Sequence, residues 1–183
     1  MKSLRELYKI GRGPSSSHTI GPEMIARNAL ARFGQRRYRV ELFGSLALTG
    51  KGHGTDRVLC EVLGADTDIV FNKTEKNIPH PNYMKIYSLT DGGEPEFLLD
   101  AVSVGGGSVL IDGHELADSR EVYPEHDFTE VRTFADSRGM TLPDYVRHYE
   151  SDVYSHLAAV WTAMKESVER GLKASGVLGG GLE

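Results

Sequence analysis

Two stretches of this sequence gather side chains that could bind an anion and move a proton. The first is GRGPSSSHTIGP (11–22), where Ser15, Ser16, Ser17, His18 and Thr19 stand in a row between two Gly/Pro steps. If a helix follows, its first turn offers backbone N–H groups and the positive end of a dipole, ringed by hydroxyl donors, to a carboxylate or phosphate. Any one of these serines is equally explained as a cap or loop filler, and a lone histidine as a packed or capping one. The second stretch is TGKGHGTD (49–56), which sets Lys51 and His53 among three glycines where backbone can approach a small ligand closely. Either residue could serve as a base, imidazole being the group that titrates near neutrality. A flexible surface loop is the competing reading. The spacing excludes a phosphate loop: five residues separate Gly44 from Gly50 instead of four, and Gly52 stands where a magnesium-binding hydroxyl belongs.

Two weaker loops complete the set. His80-Pro81-Asn82 presents an imidazole and an amide on a stiffened backbone, and Ser103 to Gly107 can lend backbone donors at a sheet edge. His114, His126, His148 and His156 lie in polar segments or on helix faces without metal-ligand spacing. Cys60 is the only cysteine, so no disulfide framework exists, and one thiol holds neither an iron–sulfur cluster nor a structural zinc by itself.

The elements that must position these residues are readable from periodicity. A helix is expected over 17–33, capped by a hydroxyl residue, with Pro22 in its first turn, Ile25, Ala29 and Leu30 inward, and Gly34 as its stop. Residues 37–43 alternate as a half-buried strand with Tyr38, Val40 and Leu42 inward. Gly50, Gly52 and Gly54 argue against a helix through their segment, while Thr55 or Asp56 can cap one running to Gly64. Strands follow at 68–72, 85–90, 96–104 and 108–112, the middle pair joined across Asp91-Gly92-Gly93. This order predicts an α+β fold with one mixed sheet and helices on one side. A linker is expected over 118–128, then a short helix at 129–138. A long helix capped by Thr141 should follow, with an apolar stripe of Tyr145, Tyr149, Val153, Leu157, Val160, Met164, Val168 and Leu172. That stripe reads as core or partner contact.

The 183 residues suffice for one domain with an appended element, and a net charge of −5 argues against a nucleic-acid surface. Met1 to Tyr8 lacks the apolar run of a signal peptide, and no segment approaches the roughly 20 apolar residues of a membrane span. A cytoplasmic location is the resulting expectation.

GRGPSSSHTIGP (11–22), ELFGSLALTGKGHGTD (41–56), PHPN with Met84 (79–84) and SVGGG (103–107) together resemble the bacterial iron–sulfur-dependent L-serine dehydratases, or L-serine ammonia-lyases. The resemblance implies a β domain over 1–117, similar to the substrate-sensing domain of some phosphoglycerate dehydrogenases, and the opening helices of a catalytic α domain over 129–183. It implies dehydration of L-serine to aminoacrylate and then pyruvate and ammonia, within serine metabolism and gluconeogenesis. The cofactor implied is a 4Fe-4S cluster acting as a Lewis acid, not pyridoxal phosphate, with ligands outside this chain. On that basis His53 is the expected base and His18 its catalytic companion. Ser15, Ser16, Ser17, Thr19, Thr55, His80 and Asn82 are the expected substrate contacts. No metal ligand is expected within the chain. A catalytic α domain or subunit is the expected partner, along with homo-oligomerisation. A regulatory module that binds serine without catalysis is the alternative. A pyridoxal-phosphate enzyme with Lys51 as Schiff base fits poorly, because the chain is short for that scaffold.

Overall fold

The computed structural model describes residues 1–90, 92–116 and 121–177. In chain order the elements are α1 (Leu4–Leu7), α2 (Ile20–Phe33), β1 (Arg37–Phe43), α3 (Gly44–His53), α4 (Thr55–Leu63), β2 (Asp68–Asn72), β3 (Tyr83–Leu89), β4 (Glu96–Gly105), β5 (Ser108–Ile111), β6 (His114–Glu115), α5 (Phe128–Ser137), α6 (Leu142–Tyr149) and α7 (Val153–Lys173). They sort into two compact units, one built on Gly11–Ala117 and the other on Met1–Ile10 with Asp118–Gly176. The first ten residues, placed with the sheet by the sequence reading, pack with the later helices. The expected boundary at 117/118, the start of the linker, Asp91 of the expected turn and the chain end from 178 lie outside the described residues.

The first unit is α+β, with a mixed six-stranded sheet in the order β2-β1-β3-β4-β5-β6. β1 and β2 run parallel, connected through α3 and α4, and every other neighbouring pair is antiparallel. Alternation sends Tyr38, Val40 and Leu42 of β1 inward, beside Met84 and Ile86 of β3 and Leu99 and Ala101 of β4. Ile25, Ala26 and Ala29 of α2, Leu46 and Ala47 of α3, and Leu59 and Leu63 of α4 complete the same core. In α2, Ile25 and Ala29 are positions that helical spacing singles out. Gly34 ends α2 with φ 73°, and Gly64 ends α4.

The glycine-rich segment departs from expectation. It forms α3, a ten-residue helix that runs through Gly50 and Gly52. Each interior glycine costs a helix up to about 1 kcal/mol relative to alanine, whereas burial of a leucine side chain such as Leu46 returns roughly 1.5–3 kcal/mol. Tertiary packing therefore overrides propensity here. Gly54 then takes φ 74°, a conformation glycine adopts without steric cost, and separates α3 from α4. The helix over 17–33 starts instead at Ile20, because residues 15–19 form a turn of their own.

In the second unit, Tyr123, Val131 and Tyr145 form a core with Phe134 and Tyr149 packed against it. Thr141 caps α6 through a reciprocal box with Asp144. The single long helix expected after Thr141 is two helices, broken at Glu150. The Glu150 carboxylate is buried, accepts from Leu4 N at 3.1 Å and takes the hydroxyls of Ser3 and Tyr123. Glu150 leaves helical geometry with φ −125°. The expected stripe is buried at Tyr145, Val153 and Val160 but exposed at Met164, Val168 and Leu172, joined by Trp161. Among the described residues no helix is long and apolar enough to cross a membrane.

Two glycine substitutions separate packing from propensity. A Cβ on Gly21 of α2 would sit 2.0 Å from the Ser103 Oγ of β4, whereas one on Gly52 meets nothing within 4 Å. Gly21→Ala should destabilise by about 1–3 kcal/mol. Gly52→Ala should stabilise by roughly 0.5–1 kcal/mol in chemical denaturation.

Candidate active site

The serine turn is tied down from inside. The Thr19 hydroxyl reaches the carbonyls of Arg12 at 2.5 Å and Ser15 at 2.7 Å, and Thr55 donates to the His18 carbonyl at 2.7 Å. Both threonines are buried, so they fix the turn and present no hydroxyl to a ligand in this conformation. The start of α2 also has fewer donors to offer than anticipated. Gly21 N–H donates to Ser16 O, Pro22 has no N–H, and Glu23 N–H donates to Thr19 O. The anion-binding power read from the helix end is correspondingly reduced, and the side chains of the turn matter more.

His18 is buried, and hydroxyls flank both ring nitrogens. Nδ1 lies 3.0 Å from Ser17 Oγ and 3.3 Å from Ser15 Oγ; Nε2 lies 3.1 Å from Ser45 Oγ and 3.0 Å from Thr49 Oγ1. Burial lowers the His18 pKa below the ordinary imidazole value of 6.5, a hydrogen bond to the Ser45 backbone opposes that, and neighbouring His53 adds to the lowering. The ring is neutral near pH 7. His53 closes α3 with its ring centroid 4.7 Å from that of His18, and its Nδ1 lies 2.9 Å from the Thr49 carbonyl.

Ser45, Thr49 and His53 recur at intervals of four along α3, which lines them up on one face. Ser45 N–H also donates to Pro81 O at 2.7 Å, bringing the His80-Pro81-Asn82 loop to the head of α3. Gly44 permits this approach: it has φ 53°, and a Cβ there would stand 2.4 Å from Pro81 O. In that loop His80 Nδ1 accepts from Asn82 N–H at 3.0 Å. The Asn82 side chain donates to Ser103 O at 3.1 Å, and Ser103 N–H returns a bond to Asn82 O.

The fold thus gathers Ser15, Ser17, His18 and His53 in direct or one-contact association, and joins His80 and Asn82 to them through Ser45. Ser16 is half-buried in the same turn, and Lys51 is exposed on α3. Sequence reasoning missed Ser45 and Thr49, whose spacing from His53 is informative only once the glycine segment is read as helix.

Among the described residues no three His, Cys, Asp or Glu side chains converge as metal ligands. Cys60 is half-buried on α4 with its thiol pushed up, first by burial and then by Asp56. The residues present do not fit an iron–sulfur cluster.

Residues 3–65 match the family model of the serine dehydratase beta chain. The whole chain aligns at 28% identity, over 237 positions, with L-serine dehydratase 2 of Escherichia coli, covering 51% of that protein. An L-serine dehydratase of Streptomyces coelicolor aligns at 27% over 99% of this chain and 52% of its own length. The chain is a homologue of the L-serine dehydratases. It is also 39% identical over 128 residues to a Bacillus subtilis protein named Probable L-serine dehydratase, beta chain, a match covering 57% of each. The chain spans about half the length of the first two relatives, and its serine turn and the whole of α3 lie inside the family-model match.

The buried neutral His18 gives a pH test. Its lowered pKa means the unfolded chain binds the proton more readily, so its contribution to stability is full above pH 6.5 and is lost as pH falls toward the folded-state value. His18→Gln should flatten the stability–pH curve below about pH 6.5, measured by urea unfolding across the acid range.

Proposed function

We propose that this chain supplies the substrate-contacting half of an L-serine ammonia-lyase, with a β domain built on residues 11–117 and the start of an α domain in the later helices, with which residues 1–10 pack. The observation that carries the reading is the pair His18 and His53, 4.7 Å apart and surrounded by small hydroxyls. Removal of the α-proton of a zwitterionic amino acid needs a nearby base and groups that hold its charged ends. His53 Nε2, which makes no hydrogen bond among the described residues, takes the α-proton. The hydroxyls of Ser15, Ser16 and Ser17, with His18 and the Asn82 amide, orient L-serine. Loss of the β-hydroxyl then gives aminoacrylate, whose hydrolysis yields pyruvate and ammonia.

The resemblance implies a 4Fe-4S cluster for this reaction, with its ligands outside this chain. A partner bearing those ligands would also cover the exposed face of α7, where Trp161, Met164, Val168 and Leu172 are 54–82% exposed. A cytoplasmic location and assembly into homo-oligomers belong to the same proposal.

Two measurements test it. Combined with a cluster-bearing half, the chain should form pyruvate from L-serine, and His53→Ala should lower turnover about 10²–10⁴-fold while the cluster absorbance is unchanged. Normal turnover in that variant removes His53 as the base. Trp161 fluorescence should shift to the blue when the same partner is added, and an unchanged spectrum removes α7 as the contact.

A further inference from the structure

We propose that Thr49 sets opposite tautomers in the two histidines: its hydroxyl holds the His18 proton on Nε2, and its carbonyl holds the His53 proton on Nδ1. The argument is an accounting of donors. A hydroxyl has one proton and a carbonyl has none. Thr49 Oγ1 lies 2.8 Å from the Ser45 carbonyl one turn back in α3, so its proton goes there. Toward His18 Nε2, at 3.0 Å, Thr49 therefore offers only a lone pair, and Nε2 must bring the proton. A neutral imidazole carries one N–H, which leaves His18 Nδ1 bare to accept from Ser17 or Ser15. The Thr49 carbonyl is an acceptor as well, so the 2.9 Å contact with His53 Nδ1 requires the proton on that nitrogen. His53 Nε2 is then the bare one.

A single residue in the middle of α3 thus leaves a lone pair on His18 facing the serine turn, and another on His53 free to receive a proton. Ser45 Oγ, at 3.1 Å from His18 Nε2, can turn its own proton either way and does not decide the tautomer. Thr49 is accordingly a positioning residue. That the arrangement matters for turnover rests on the lyase reading; the tautomers themselves do not.

The test uses the ¹⁵N-labelled chain alone at a pH above the imidazole range, with long-range ¹H–¹⁵N correlation spectra assigned through His18→Gln and His53→Gln. Wild type should show a bare Nδ1 in His18 and a bare Nε2 in His53. Thr49→Val keeps the carbonyl and removes the hydroxyl. It should raise the Nδ1–H form of His18 several-fold and leave His53 unchanged. Thr49→Ser should restore the wild-type pattern, and Ser45→Ala should preserve it. Because Thr49 is exposed, the valine variant is expected to fold, and its amide spectrum checks this. A wild-type His18 protonated on Nδ1, a His53 protonated on Nε2, or a His18 indifferent to Thr49→Val overturns the inference. Correct tautomers in a chain that gives no turnover with its cluster-bearing half would instead overturn the lyase reading alone.

Discussion

A buried imidazole with hydroxyls on both sides is the constraint on which the site depends. Burial keeps His18 neutral, and a neutral ring has one proton to give and one lone pair to offer. Each neighbour must therefore take a definite role. Ser15 and Ser17 stand on one side, and Ser45 and Thr49 on the other. Because these groups come from a turn and from a helix separate in sequence, the ring also ties the serine turn to α3.

The rest of the first unit holds that arrangement still. Thr19 and Thr55 are sealed within the protein and hold the backbone of the turn. Alternating strands and the inner faces of α2 and α4 make one core beneath it. At two places a glycine leaves no room for a side chain, Gly21 of α2 against the Ser103 side chain of β4 and Gly44 of α3 against the Pro81 backbone, and a Cβ at either would force its neighbour away. The glycines of this sequence thus have different duties: some admit contact, and Gly54 turns the chain.

In the second unit the organising feature is again a buried polar group. Glu150 gathers the Ser3 and Tyr123 hydroxyls and the Leu4 N–H, and burial is offset by those bonds. The outcome is a helix break where apolar spacing alone would continue. Downstream, the apolar face of α7 is a surface feature on which four large side chains, Trp161, Met164, Val168 and Leu172, are exposed.

Local patterns in the sequence determined a great deal. Period-two alternation gave β1 with its inward residues, helical spacing and glycine stops gave α2 and α4, and runs of β-formers gave the mixed sheet. Motif order pointed to the dehydratases and to the segments that contain His18, His53 and Asn82. Only the tertiary structure decided that Gly44–His53 is a helix, since the stabilisation comes from Leu46 and Ala47 entering a core made by distant strands. That decision places Ser45 and Thr49 in the site, because residues four apart share a face in a helix and not in a loop. Tertiary structure likewise decided that Thr19 and Thr55 bond to backbone and that Glu150 interrupts a helix. Hydroxyl and carboxylate partners are chosen by proximity in space, and a partner 37 residues away, as for Thr55, or 27 away, as for Glu150 and Tyr123, leaves no local periodicity to read.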